Sequence, residues 1–425
     1  MTKNDVAWEQ LNKKYNIIKE VNDKGHFIIK AKQIKQFREP RLMTKFDHKN
    51  NLPKLFKENK FGIIPISRSS YIISKFNMFY SIETVSGKTI LKSIPSYIQS
   101  IDYENITSEA IALNCAYISG IISDFIDDED LIPTISGRMS SKAFDFTFDT
   151  IEGIKGIEVE NSQIEIDAGY EGQQSLVLIE AKLNIADDFN VRQLYYPYRL
   201  WLEKTNKKLR NIFLVYSNNF FYLYEYEFKE KSNYNSIQLI RAKKYALNYE
   251  KINFNDILMV YKQIQVVKED ISIPFPQANS FERIINMLEL LNIDPMTKED
   301  IVERYDFDIR QSDYYTNAGI YLGLFNKINN DGQIEYDLSR EGKVIVNLPY
   351  KTKQLELVRL ILQHEIFYKV FKVYIETGKV PDKKPIIEIV KNSTASKMND
   401  NTIKRRSSTI IKWLDWIVSL VNQGQ

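Results

Sequence analysis

Short apolar runs open the chain. Residues 27–31 and 61–66 read as strands, and 71–76 adds a third run of the same kind. Between the first two lies the basic stretch 38–47, Arg-Glu-Pro-Arg-Leu-Met-Thr-Lys-Phe-Asp. Residues 1–95 are therefore expected to form a mixed α/β module. The pattern changes near residue 101. Thr107 and Ser108 stand before Glu109 and Ala110 as a helix N-cap would, and apolar positions follow at helical spacing to about Phe125. Residues 143–148 alternate strictly, which predicts a strand with Phe144, Phe146 and Phe148 on one face. Strands over 162–168 and 175–182 follow. A helix over 187–204 comes next, in which Pro197 implies a kink or a later start. Strands over 211–217 and 220–228, joined through Asn218 and Asn219, complete a second unit over 101–265 with the order α-β-β-β-α-β-β.

Pro274 and Pro276 mark 273–277 as a linker. Beyond it, 280–291 is helical in pattern, and Thr297 with Asp300 forms a capping box that opens a second helix. A third helix is expected over 310–324, and 329–332 turns between two short strands. Three helices and a hairpin predict a winged helix-turn-helix over 278–350, with a helical domain over 351–425. The fold class expected is multi-domain α+β: a mixed sheet flanked by helices, an α/β module before it and winged-helix and helical domains after it.

One constellation carries chemistry. Asp167 is placed at the end of one short strand, a turn rich in Gly and Gln follows, and an apolar strand then delivers Glu180, Ala181 and Lys182. Glu180 and Lys182, two residues apart, emerge on the same face of a strand. Asp167 and Glu180 would ligate Mg²⁺ together with the carbonyl of Ala181, and Lys182 would orient a water or bind a non-bridging phosphate oxygen. A surface hairpin with ordinary exposed charges is the plain alternative. The preceding helix and strand, and the α-β-β that follows, weigh against it.

This pattern resembles the PD-(D/E)xK nuclease superfamily, onto which Asp167, Glu180 and Lys182 map. Ile166 stands where that family often has Pro. The resemblance implies a restriction-endonuclease-like core, water-driven phosphodiester hydrolysis leaving 5′-phosphate and 3′-hydroxyl ends, and an upstream acid for which Glu158 and Glu160 are the local candidates. Residues 190–199 resemble the Gln/Tyr-bearing helix that supports some of these sites. There Gln193 would bond a catalytic carboxylate or the attacking water, Arg192 or Arg199 would touch a phosphate, and Leu194, Tyr198 and Leu202 would pack on the sheet. The stretch 39–47 is similar to the amino-terminal region of certain type II restriction enzymes.

Charge adds a substrate. The chain carries a formal +3, yet residues 1–60 hold fifteen Lys and Arg against seven Asp and Glu, a surplus of eight. A basic arm of this kind suits a polyphosphate such as double-stranded DNA. Candidate DNA contacts are Arg310, Gln311, Ser312, Tyr314 and Tyr315 at the start of the third winged-domain helix, although Tyr314, Tyr315 and Tyr321 also suit a core. Lys404, Arg405 and Arg406, with Thr402, Ser407, Ser408 and Thr409, suit phosphate contacts, while Trp413 and Trp416 read as core. Arg38, Arg41, Lys45, Arg68 and Lys75 are further candidates in the first module. The single Cys115 rules out an internal disulfide and fits a reducing cytoplasm. Three scattered histidines and one cysteine offer no zinc cluster, there is no Gly-Lys-Ser/Thr phosphate loop, and no leader or membrane span is expected. These observations lead to a cytoplasmic, Mg²⁺-dependent, sequence-specific double-stranded DNA endonuclease of a restriction-modification system. It would act as a homodimer or pair transiently on DNA, with a cognate methyltransferase in the same system but not in physical complex. Repair, modification-dependent and mobile-element nucleases of the same fold, or a catalytically inactive DNA-binding regulator, are the alternatives.

Overall fold

The computed structural model describes residues 2–85, 87–150, 153–247, 250–267, 269, 270, 272–305, 307, 309–330, 332–393 and 398–422. Strand Ser175–Lys182 is buried from Ser175 to Ala181. A strand apolar on both faces needs a layer on each side, and it sits inside a seven-stranded mixed sheet that supplies them. The sheet runs Ile90–Lys92, Ile237–Leu247, Phe220–Phe228, Lys208–Ser217, Ser175–Lys182, Gln163–Glu171, Ile132–Ser140. Ser175–Lys182 and Lys208–Ser217 are parallel, so the chain must cross over between them, and helix Arg192–Leu202 makes that crossing. Strands Lys208–Ser217 and Phe220–Phe228 turn through Asn218 and Asn219, both at positive φ (51° and 66°), the backbone a two-residue hairpin turn requires.

The two faces of the sheet have different covers. Val177, Ile179, Ala181, Ile212 and Leu214 pack against helices Glu109–Ile118 and Ile121–Ile126. Leu176, Leu178, Phe213 and Val215 share a core with helix Arg192–Leu202, with the hairpin of Phe144–Thr150 and Gly153–Val159, and with the N-terminal module. That module has a three-stranded sheet, Phe27–Lys30, Ser70–Ser74 and Gly62–Pro65, and a helix Lys3–Tyr15 that buries Trp8 against Phe56.

Beyond residue 280 the order is helix Phe281–Leu291, strand Met296–Thr297, helices Lys298–Arg304 and Ile309–Tyr321, then strands Phe325–Asn330 and Gln333–Leu338, with Gln333–Leu338 central in the small sheet. The Thr297–Asp300 capping box is present. Helices Arg340–Val346, Tyr350–Leu362, Glu365–Thr377, Lys383–Lys391 and Asp400–Asn422 follow, and one apolar cluster runs from Phe281 to Leu420 through Trp413. The chain is of the α+β class. No helix among the described residues is long and apolar enough to cross a membrane.

Several expectations shift. The helix predicted to about Phe125 breaks at Gly120, whose φ of 73° ends one helix and begins the next. The helix predicted over 187–204 begins at Arg192, because Asp188–Asn190 is drawn into a short strand against Phe79–Ser81. Strand Ile132–Ser140 goes unseen in the sequence: it is an exposed edge carrying Pro133 and Gly137, so neither burial nor periodicity announces it. In the Pro-rich stretch, Phe275 is buried and stacks on Phe367 with ring centroids 5.8 Å apart.

Candidate active site

Strand Gln163–Glu171 is irregular where the chemistry gathers. Gly169 lies opposite Ile135 and Ile166 opposite Gly137, so Asp167 and Ala168 together face the single residue Ser136. Two residues against one make a β-bulge, which re-aims side chains and interrupts pairing. On the other edge the ladder to Ser175–Lys182 stops at Ala168 opposite Ile179. Past that point the Asp167 carboxylate stands in for backbone: its Oδ2 accepts the Ala181 amide at 2.8 Å. The sequence reading ended this strand near Asp167. It continues to Glu171, and the bulge brings the side chain round.

Glu180 and Lys182 share a face as their spacing requires, and the Lys182 ammonium holds Glu180 Oε1 at 2.5 Å. Gln193, the second residue of its helix, donates its amide to the same oxygen at 2.7 Å. The remaining Gln193 oxygen is buried without a hydrogen-bond partner. A fourth element arrives from the opposite layer: Glu109, in the first turn of Glu109–Ile118, brings a carboxylate oxygen to 3.9 Å from the Lys182 ammonium.

The N-terminal module reaches the same place. Residues 45–49 are clamped onto the chain that follows Lys182. Asn190 donates to the Phe46 carbonyl at 2.8 Å, and the Lys49 amide to Asp188 at 3.1 Å. His48 Nδ1 meets the Asp188 carbonyl at 2.6 Å, and a carbonyl only accepts, so that nitrogen carries the proton and Nε2 receives the Asn184 amide at 3.2 Å. This clamp sets Asp47 within electrostatic reach of Lys45, Lys182 and Arg192.

The electrostatics follow from burial plus crowding. Burial, with Asp167 and Asp47 nearby, lifts the Glu180 carboxyl to about 7 against the pull of Lys182. Burial also raises Glu109, aided by Asp167 and Asp47. For Lys182 burial acts downward, but Glu180, then Glu109, Asp47 and Asp167, outweigh it and hold the ammonium above its ordinary range. Asp47 is pulled down, despite burial, by Lys45, Lys182 and Arg192. Four carboxylates thus act on one lysine.

Whether this set fits a cation is a question of donors. Asp167 and Glu180 supply carboxylate oxygens, and Gln193 an orphaned buried amide oxygen. Ala181, expected to lend its carbonyl, lies between Glu180 and Lys182 with its side chain in the opposite layer. Among the described residues no three His, Cys, Asp or Glu side chains stand together as a preformed metal cage. Two carboxylates with neutral oxygens match a hard ion such as Mg²⁺, which keeps part of its water.

Of the residues expected in or near the site, Asp167, Glu180, Lys182 and Gln193 come together. Glu158 and Glu160 stay exposed at the β-hairpin, and Glu109 is the acid beside the lysine. Arg199 is buried instead of reaching for phosphate, donating to the Asp145 carbonyl at 2.6 Å. Lys45 and Arg41 are exposed, and Lys45 stands 3.8 Å from Asp47. In the C-terminal region Arg310 is exposed and Gln311 and Tyr314 half-buried at the start of Ile309–Tyr321. Ser312 and Tyr315 turn inward: the Ser312 hydroxyl donates to the Ile309 carbonyl, and Tyr315 stacks on Phe307 at 4.6 Å. Arg405 is exposed, and Arg406 bonds Gln277 at 2.7 Å within electrostatic reach of Tyr314. Ser407 and Thr409 are wholly buried and bonded within the protein, which withdraws them as phosphate contacts.

Sequence reasoning missed Glu109, Asp47 and His48. Glu109 carried only the signal of a helix first turn, and Asp47 lay at the end of the basic run 38–47 with nothing to tie it to a strand some 130 positions on. Three family models match the chain, each described as a domain of unknown function: DUF6996 over residues 5–73, DUF6997 over 74–246 and DUF7226 over 283–422. No curated protein matches, and no solved structure does.

Proposed function

We propose that this protein is a divalent-cation-dependent endonuclease acting on double-stranded DNA, with a restriction-endonuclease-like core and a winged helix over 278–350. The observation that supports it most is the convergence of Asp167, Glu180, Lys182 and Gln193 through a bulge and one adjacent strand. When bound, Mg²⁺ held by Asp167, Glu180 and a neutral oxygen neutralises charge on the scissile phosphate and acidifies water.

The protein's own groups do the remainder. Lys182, kept protonated by its ring of carboxylates, places positive charge where the phosphate's non-bridging oxygen gains negative charge. Gln193 fixes the Glu180 carboxylate, leaving its second oxygen to face the reaction. The water oxygen bonds to phosphorus and gives up a proton to solvent, the bond from phosphorus to the 3′-oxygen breaks, and that oxygen takes up a proton from solvent, leaving 5′-phosphate and 3′-hydroxyl ends. Arg310, Tyr314 and Arg405 offer exposed or half-buried basic and aromatic side chains that suit a DNA groove and its phosphates, and so do the exposed Arg41 and Lys45. A duplex has two strands to cut, so two copies of the chain acting together are expected. The restriction role, with a cognate methyltransferase elsewhere in the system, is part of this proposal.

The test is digestion of unmethylated phage DNA in Mg²⁺ by wild type, Asp167→Ala, Glu180→Gln and Lys182→Ala, with EDTA as control. Discrete fragments from wild type alone are expected. A smear from wild type keeps the nuclease and removes the restriction role. Binding without cutting by wild type, on methylated as well as unmethylated DNA, removes the enzyme.

A further inference from the structure

Helix Phe281–Leu291 is apolar around most of its circumference and buries Ile284, Ile285, Met287 and Leu288 completely. Three polar residues at spacing three break that pattern: Arg283, Asn286 and Glu289. Residues so spaced share a helix face, and all three side chains turn toward the nuclease sheet. Asn286, with no exposed surface, donates to the Leu183 carbonyl at 2.6 Å and to the Ser217 hydroxyl at 3.1 Å, and accepts the Ile185 amide at 3.1 Å. Arg283 pairs with Asp187 at 2.7 Å. Glu289 accepts the Ser217 hydroxyl at 2.9 Å and the Asn218 amide at 3.0 Å.

Leu183, Ile185 and Asp187 belong to the segment that leaves Lys182. Its far side is fixed by the N-terminal module, where the Ile82 amide donates to the Asp187 carbonyl at 2.8 Å and His48 and Lys49 hold Asp188. The near side is held by a helix of the C-terminal module. That helix also touches the candidate DNA-reading helix: Tyr315 accepts the Ser280 amide at 3.3 Å, and Phe307, stacked on Tyr315, lies under the Arg283 guanidinium at 5.3 Å. A continuous run of contacts thus leads from Ile309–Tyr321 through Arg283 and Asn286 to the backbone one residue past Lys182.

We propose that Asn286 and Arg283 are positioning residues that couple the seating of the C-terminal module on DNA to the placement of Lys182 and Glu180, acting through residues 183–187. The proposal rests on the endonuclease reading. A buried amide that bonds both a carbonyl and an amide of one short segment transmits any displacement of its helix, since slack would orphan buried polar groups. Catalytic geometry is sensitive on that scale: a shift of about 1 Å costs on the order of a hundredfold in rate.

The test compares wild type, Asn286→Ala and Asp187→Ala on linear unmethylated phage DNA. Affinity is measured in EDTA, single-turnover cleavage in Mg²⁺ at saturating DNA, and amide hydrogen exchange of residues 181–190 with and without the DNA. Expected are affinities within about twofold of wild type, cleavage slowed about tenfold or more by Asn286→Ala and about threefold by Asp187→Ala. DNA should slow exchange of 181–190 in wild type and not in Asn286→Ala. Wild-type cleavage in both variants overturns the proposal, and so does a parallel loss of affinity and rate, the mark of a module come loose. Should Asn286→Ala fail to fold, Asp187→Ala decides, because that side chain is 75% exposed. If wild type binds without cutting yet shows protection that Asn286→Ala abolishes, the nuclease reading fails and the coupling stands.

Discussion

Gln193 and Lys182 donate to the same oxygen of Glu180, at 2.7 and 2.5 Å. One carboxylate oxygen is thus saturated from a helix and from its own strand, and the orientation of the other is fixed by consequence. The prediction is that Gln193→Leu, which keeps volume and removes the donor, slows Mg²⁺-dependent cleavage about 10–100-fold with the fold intact, as loss of a supporting bond to a metal-ligating carboxylate does. Cleavage within twofold of wild type at saturating DNA and Mg²⁺ would remove Gln193 from the site.

Glu109 crosses from the opposite layer to sit 3.9 Å from the Lys182 ammonium. Glu109→Gln keeps the shape and deletes the charge. The expected result is a drop of about tenfold in the cleavage rate, the scale of losing one nearby opposite charge. Unfolding temperature and DNA affinity should hold, and an unchanged rate would make Glu109 a bystander.

Arg405 is exposed near the start of the last helix, next to Arg406, which lies within electrostatic reach of Tyr314. We predict that Arg405→Ala weakens DNA binding to a similar degree for every sequence and lowers the slope of log affinity against log salt by about one. A change confined to one sequence would instead make Arg405 a base reader.

Asp124 ties helix Ile121–Ile126 to the sheet. Burial raises its carboxyl, but the Tyr245 hydroxyl at 2.7 Å and the ammoniums of Lys92 and Lys243 outweigh it and hold the group at about 2. A depressed acid contributes stability that is complete above its unfolded pKa, near 4, and is lost as pH falls toward 2. Asp124→Asn should therefore destabilise by about 1 kcal/mol at pH 6, a figure reduced for solvent screening of a partly exposed group. The gap to wild type should close between pH 4 and 2 in denaturant melts. A gap that stays constant over that range would contradict the assignment.

Gly319 lies in helix Ile309–Tyr321 directly beneath the Phe325 ring, and a Cβ there would meet ring carbons at 1.9 and 2.0 Å. Gly319→Ala should cost about 1–3 kcal/mol by overpacking, despite alanine's better helix propensity. Pairing it with Phe325→Leu should recover part of that loss. Equal stability of Gly319→Ala and wild type would show that the ring moves freely aside.

By itself the sequence determined the elements whose signals are local. Strict alternation placed the strand around Phe144, the Asn218-Asn219 turn joined the strands on either side of it, the apolar run placed Ser175–Lys182, and the Thr297 capping box opened its helix, because backbone geometry and period are written in neighbouring residues. The same locality put Glu180 and Lys182 on one face, two positions apart on a strand. Only tertiary structure decided the rest. The bulge that turns Asp167 toward Ala181 depends on register with an exposed edge strand that has no pattern of its own. Glu109, Asp47 and the clamp around His48 come from distant segments whose meeting is set by which apolar faces bury together. The polar stripe Arg283, Asn286 and Glu289 is visible as spacing on a helix. Its purpose is fixed by what that face touches, because a hydrogen bond between separate layers exists only once packing has closed the distance.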